Sequence, residues 1–325
     1  VSWRVTEELS VRGSASTTFR GPPQSLLSGT STALSYVAPT LAFKAIDTVG
    51  NPNLGSEEAV STNFGVIYQT DNFYGSIDYW AFTFEDSFQT EGFNSIINAY
   101  RDNDCLGAGG VPTNSAVCNE LRTHIFPVAA HTSLASTERI VVNWLNGQDI
   151  ETSGIDFKAE YRFDGIADGA VTIGIDGTYG LEYERDAQFD LSGAIQLAPG
   201  GDLMGFLNYN QGPAFTSKPE IKAAAHIAYE TDVHYAGLIA RYVGEYDDAG
   251  APAAYPWLAT IDDQTTFDLN YVYRGMDDLV LSASIVNVAD EDPPAARGDL
   301  NYDPFTHNAF GRMIKVSFTY TLLGE

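Results

Sequence analysis

The feature that most constrains this chain is a period of two in its apolar residues. Between positions 171 and 183, Val171, Ile173, Ile175, Gly177, Tyr179, Leu181 and Tyr183 fall on one face. Thr172, Gly174, Asp176, Thr178, Gly180 and Glu182 fall on the other. Side chains alternate in this way along a β-strand, and the run is about twice as long as an ordinary soluble strand. The period returns at Ile155, Phe157, Ala159, Tyr161 and Phe163, at Phe267, Leu269, Tyr271 and Tyr273, and at Ile314, Val316, Phe318, Tyr320 and Leu322. Aromatic residues gather towards the ends of these stripes, as the two interfaces of a membrane barrel require.

About ten strands follow from this period, at 3–18, 57–70, 73–86, 151–163, 170–183, 218–230, 233–246, 264–274, 278–288 and 310–322. In the third, the apolar face changes sides near Tyr79 and Trp80, and a bulge is expected there. Every second connection is short: Asp71-Asn72, 164–169, Thr231-Asp232 and 275–277. The others, 19–56, 87–150, 184–217, 247–263 and 289–309, are long. A soluble sandwich also alternates, but it has no reason to sort loop lengths this way. Outer-membrane barrels do, with short periplasmic turns and long outer loops. The expected fold is therefore all-β, a transmembrane antiparallel β-barrel wall, with Glu325 on the periplasmic side.

Composition is compatible with this. No apolar run reaches the roughly 18 residues of a membrane helix, and mean hydropathy is −0.13. That leaves barrel strands untouched, since each needs only about ten alternating residues. The net charge is −26, from 43 acidic and 17 basic residues. Without clustered Lys and Arg there is nothing to bind a phosphate backbone, so no nucleic-acid partner is expected. The acidity reads either as solubility in a salty medium or as an acidic vestibule that attracts cations. The chain starts at Val1 with neither Met nor a signal peptide, so processing or truncation is expected to have removed its beginning. Cys105 and Cys118 lie close together in a polar, Gly-rich stretch. They are expected to form a disulfide, which implies an oxidising compartment and is worth roughly 3 kcal/mol in the chain-entropy model.

Particular residues then resemble a known family. Leu9-Ser10-Val11-Arg12-Gly13-Ser14 followed by Phe19-Arg20-Gly21-Pro22-Pro23 is similar to the strand and "R-x-P" passage into an outer loop of TonB-dependent outer-membrane receptors. Asn51-Pro52-Asn53-Leu54-Gly55-Ser56-Glu57-Glu58, with Ser61, Asn63 and Gly65, resembles the family's "NPxLxPExSxxxExG". Gly55-Ser56 replaces the usual Pro, and no Glu precedes Gly65. The run from Asn287-Val288-Ala289-Asp290 to Pro293-Pro294 looks like "NLFDxxPP". Asn301-Tyr302-Asp303 and Gly311-Arg312 resemble the approach to the final strand, although Leu322-Leu323-Gly324-Glu325 replaces the usual terminal aromatic.

The resemblance implies a barrel of about 22 strands, plugged by an N-terminal domain, in the outer membrane of a Gram-negative cell. It would import a siderophore, cobalamin-like or carbohydrate ligand with energy passed on by TonB. Residues 1–325 would then be the C-terminal part of that barrel, without the plug. The implied partners are outer-membrane lipid, the plug and remaining strands (from the same parent protein or another chain), TonB through that plug, and an extracellular small molecule or oligosaccharide. A passive channel, and a secreted all-β binding module or glycosidase, are the alternatives.

No Walker, HExxH, GxSxG or EF-hand motif is present, so no catalytic residue, metal or cofactor is expected. His124 and His131 flank one loop, and Asp247-Asp248, Asp262-Asp263 and Asp290-Glu291-Asp292 are acidic turns; solvated side chains are the simpler reading of both. Asp156, Lys158, Glu160, Arg162, Lys222, Arg241 and Lys315 read as a wet lumen lining. Ligand contacts belong more naturally near the outer loops. Phe19, Arg20, Trp144 and Tyr246 are the candidates, since aromatics stack on sugars or planar chelates and Arg pairs with carboxylates and phosphates.

Overall fold

A computed structural model describes residues 1–106, 115–127, 133–208, 216–248, 257, 259–297 and 300–322. One large sheet runs through β1 (Ser2–Arg4), β2 (Leu9–Arg20), β3 (Glu57–Gln69), β4 (Phe73–Glu85), β5 (Ile150–Ile166) and β6 (Gly169–Arg185). It continues through β7 (Ile221–Glu230), β8 (His234–Val243), β9 (Gln264–Met276), β10 (Leu279–Val286) and β11 (Met313–Tyr320). Each strand is antiparallel to the next, so the wall is an up-and-down meander with no crossover. All ten expected strands are present. The short turns lie at one end of the sheet and the long loops at the other. The turn Ala167-Asp168, between β5 and β6, has φ of 48° and 63°, the double-positive geometry that suits a twisted two-residue hairpin.

Two expectations are corrected. The first strand is not continuous from residue 3. Thr6 Oγ1 accepts from Glu8 N (3.2 Å) and Leu9 N (3.0 Å), folding the polar Thr6-Glu7-Glu8 stretch into a turn. Trp3 consequently lies beside Val11 on a separate strand.

Nor does β4 bulge near Tyr79, because its register to β3 and β5 is unbroken. Its apolar stripe changes sides because Trp80, Phe82 and Phe84 occupy the otherwise polar face as an aromatic row, with centroids 5.8 and 6.2 Å apart. Gly154 makes the room. A Cβ there would collide with the Trp80 indole. The register shift sits at Ser153/Gly154, between β5 and β6.

Burial is inverted relative to a soluble sheet protein. Among the described residues, only Ala170 of the buried hydrophobic set lies in a wall strand. Ile175 and Phe64, in mid-strand, are 43% and 58% exposed. The main core is instead built by the loops. Thr30–Val37, Ala42–Val49, Thr137–Asn146 and Phe88–Thr90 form a small sheet, with Ile125–Pro127 paired to Thr137–Asn146. Helices α1 (Phe93–Asp102) and α2 (Ala116–His124) pack with it. Val37, Ile46, Ile96, Ile97, Tyr100, Leu121, Ile140 and Val142 close this outer lobe, together with Ile195 and Leu197 of the third long loop.

The disulfide between Cys105 and Cys118 is formed, and it joins the end of α1 to α2. Both cysteines are fully buried in the lobe core rather than set in a polar loop. A smaller core of Leu207, Tyr246, Ile261 and Ala296 ties the last three long loops together.

Candidate functional site

The first long loop meets the second through the stretch that resembles a family signature. Asn51 Oδ1 accepts from Asn53 N (2.9 Å), which turns the chain, and Leu54 is buried beneath it. Asn146 then clasps the turn: its Oδ1 accepts from Gly55 N (2.8 Å) and its Nδ2 donates to Asp86 O (2.9 Å). Glu57 ends the stretch by accepting from Arg20 Nη2 (2.8 Å) and Phe88 N (3.1 Å). The Arg20 guanidinium lies 5.0 Å from the centre of the Phe88 ring.

Beneath this clasp lies a cavity of about 610 Å³, between the first three long loops. Its wall is rich in amides: Asn51, Asn146, Gln148 and Gln188, with Phe189 and Asp190 beside them. Most of these groups are occupied. Gln188 Nε2 donates to Thr90 O (3.1 Å), and Asp190 Oδ1 accepts from Ala194 N (3.0 Å) and Ile195 N (2.8 Å). Gln148 is 6% exposed, and among the described residues its Nε2 has no hydrogen-bond partner. Phe189 is 44% exposed.

The scaffold of the cavity is Glu91, whose side chain is fully buried. Its Oε2 accepts from the backbone N and Nδ2 of Asn143 (2.8 and 2.9 Å), and its Oε1 accepts from Leu191 N (2.8 Å). One carboxylate thus fastens the second and third loops together. His124 Nδ1 is 2.9 Å from Val141 O and 3.6 Å from this carboxylate, inside the lobe rather than solvated. His131 lies outside the described residues. Among the described residues no group of His, Cys, Asp and Glu is arranged to hold a metal ion.

A second ion pair supports the lobe. Asp47 accepts from Thr32 Oγ1 (2.6 Å) and from Arg139. The Thr32 hydroxyl, then Arg139, holds its carboxyl below the ordinary 3.8 against the opposing effect of burial. A depressed carboxyl stabilises the fold above its unfolded value, and this contribution is lost as pH falls through the folded value. Hydrogen exchange in Thr30–Val37 and Ala42–Val49 should therefore accelerate as pH drops below about 3.8, after correction for intrinsic rates. Asp47→Asn should remove that acid-dependent step.

The pattern found by family comparison agrees with this architecture. The sequence matches the model of the TonB dependent receptor-like β-barrel over residues 1–288. The chain belongs to this family. No curated protein matches it.

Solved structures with the same fold include a variant of the ferric enterobactin receptor of Pseudomonas aeruginosa. It has TM-score 0.59 and 13% identity, with 98% of this chain and 39% of that one covered. The siderophore receptor PirA of Acinetobacter baumannii has TM-score 0.57 and 14% identity, covering 98% and 40%. The FrpB iron transporter of Neisseria meningitidis has 0.53 and 15%, covering 98% and 38%. The chain thus spans about two-fifths of the length of these structures.

As a receptor-barrel wall, the sheet has one apolar face and one polar face. Ion pairs gather on the polar face, where Arg12 Nε and Nη2 donate to Asp78 (both 2.6 Å) and Arg241 Nε donates to Asp268 (2.8 Å), and the Thr178 hydroxyl donates to Asp156 there (2.7 Å). Gly65 faces the first pair, and a Cβ there would press on Asp78.

The four candidate contacts are not brought together. Phe19 is in register with Glu58, on the face that carries Val60 and Phe64, so it belongs to the apolar side. Arg20 pairs on the opposite face with Glu57. Trp144 is half-buried in the lobe strand, opposite Thr90. Tyr246 is buried in the smaller core, where its hydroxyl donates to Asp303 (2.7 Å); burial and that carboxylate raise its pKa, keeping the proton in place. Two of the three acidic turns are structural as well: Asp248 is gripped by Arg297 (2.6 and 2.9 Å) and Asp290 accepts from Arg312 N (2.7 Å), while Asp262-Asp263 is exposed.

Asn287 explains the motif near the end. At φ 52° it turns out of β10 while its side chain bridges both ways to Glu291, at 2.9 Å each. Asn287→Val should cost about 2 kcal/mol, since a β-branched residue resists positive φ and both bonds go. Faster hydrogen exchange at 287–297 would register it.

Sequence reasoning missed the amide cavity. Asn51 was legible only as part of a motif, and Gln148 and Gln188 carry no periodic or spacing signal.

Proposed function

We propose that this chain is the C-terminal wall and outer-loop portion of a TonB-dependent receptor in a Gram-negative outer membrane. The receptor would take up a scarce nutrient: a siderophore, a cobalamin-like compound or a carbohydrate. The observation that carries the reading is the inverted burial: apolar mid-strand side chains such as Ile175 are left exposed, while the core sits in loops gathered at one end of the wall. A membrane supplies the missing partner for the exposed face, and the folded loops supply a rigid mouth. The remaining strands and the plug would come from the rest of the parent protein, and TonB would act through that plug. The described sheet ends at β1 and β11 without closing on itself, which supports a larger barrel over a small passive channel.

The test is uptake by cells that carry the parent receptor as their only route for the labelled nutrient. Accumulation is expected to stop when a protonophore collapses the inner-membrane gradient or when TonB is deleted. Accumulation that survives both treatments would mean a passive channel.

A further inference from the structure

We propose that the cavity between the first three long loops is a binding site for a neutral, hydroxyl-rich ligand of the oligosaccharide class, an inference that rests on the uptake reading above. The size is suitable, since about 610 Å³ lies within the usual range of small-ligand pockets.

The chemistry of the wall then narrows the class. Asn51, Asn146, Gln148 and Gln188 place amides in the wall. Asn51 Oδ1, both polar atoms of Asn146 and Gln188 Nε2 already bond within the protein, so Gln148, Asn51 Nδ2 and Gln188 Oε1 are the groups left to donate to and accept from hydroxyls. Neither Lys nor Arg lines the cavity among the described residues, and the charge of Asp190 is already met by two backbone N–H groups and the Ser192 hydroxyl. An anionic ligand would find no countercharge there, and a cationic one no free carboxylate.

Gln148 gives the sharper indication. A buried amide without a partner is costly and uncommon, and among the described residues Nε2 of Gln148, a side chain that borders the cavity, is in that state, itself covered from solvent. A ligand oxygen would supply the acceptor after a small turn of the side chain. Phe189, 44% exposed in the same wall, offers a ring face to the C–H side of a sugar. The cavity also joins three loops that Glu91 and Asn146 fasten together, so its walls are fixed before the ligand arrives, which favours affinity.

The test uses the whole parent receptor in detergent, titrated by calorimetry with a panel of neutral trisaccharides (maltotriose, cellotriose, chitotriose and mannotriose) and with one anionic ferric tris-catecholate. At least one trisaccharide is expected to bind. Gln148→Leu, which keeps the side-chain volume, and Phe189→Ala should each weaken it roughly 3- to 10-fold, with Asp303 and lobe hydrogen exchange unchanged as a check on folding. The proposal is overturned if no trisaccharide binds, or if both variants bind as the parent does while their lobes remain folded. Energised uptake with no dependence on Gln148 or Phe189 would leave the receptor reading intact and remove this site. Trisaccharide binding that needs both residues, with uptake indifferent to TonB, would keep the site and remove the receptor reading.

Discussion

Glu91→Ala should loosen the outer lobe by about 3–5 kcal/mol while leaving the wall folded. The alanine withdraws a buried carboxylate from Asn143 N, Asn143 Nδ2 and Leu191 N. Hydrogen bonds to a charged acceptor are worth roughly 1.5–3 kcal/mol each, and a donor stranded without water costs more than the bond alone. The losses share one side chain, so they do not simply add. The effect stays local because the lobe owns its core, from Val37 to Leu197, whereas the wall strands hold each other through the sheet ladder. Hydrogen exchange should rise across Phe88–Thr90, α1 and Thr137–Asn146, and around Leu191, with β5 to β8 still protected. Glu91→Gln, which retains one acceptor oxygen, should fall between the two. Unchanged exchange in the lobe would show that Glu91 is not what holds the loops together.

The wall was legible because its signal is local. Side-chain alternation and loop length are both written along the chain, and they placed β3 to β11 within a few residues. Where they erred, a single side chain decided the outcome. Thr6 turned the first strand into a hairpin, and Gly154 admitted Trp80 to the polar face without a bulge.

The lobe was not read, although half of its signal was present. Phe93, Ile96, Ile97 and Tyr100 stand at the spacing of one helical face. That helix buries its face against strands from two long loops and a third loop's Ile195 and Leu197, partners that no local pattern announces. The disulfide followed from the proximity of Cys105 and Cys118 in sequence, while its buried setting required the lobe. Among the ligand candidates, alternation should have warned that Phe19 and Arg20 lie on opposite faces. For Tyr246, the buried Asp303 partner comes from a loop far along the chain.

The two faces of the wall carry the whole reading, and two adjacent alanines near the middle of β7 separate them. Ala225 is in register with Ile175 and Ala240, on the apolar face with Ile227. Ala224 is in register with Asp176 and Arg241, on the polar face. The measurement is the unfolding free energy of the parent receptor in lipid vesicles for Ala225→Arg and Ala224→Arg, with identical residue changes at neighbouring positions. A charge on the lipid face near mid-membrane costs about 2–4 kcal/mol, whereas a polar lumen tolerates it. Ala225→Arg should therefore destabilise by about 2–4 kcal/mol and Ala224→Arg by less than about 1. Equal costs, or a greater cost at Ala224, would contradict a wall that turns this face to lipid.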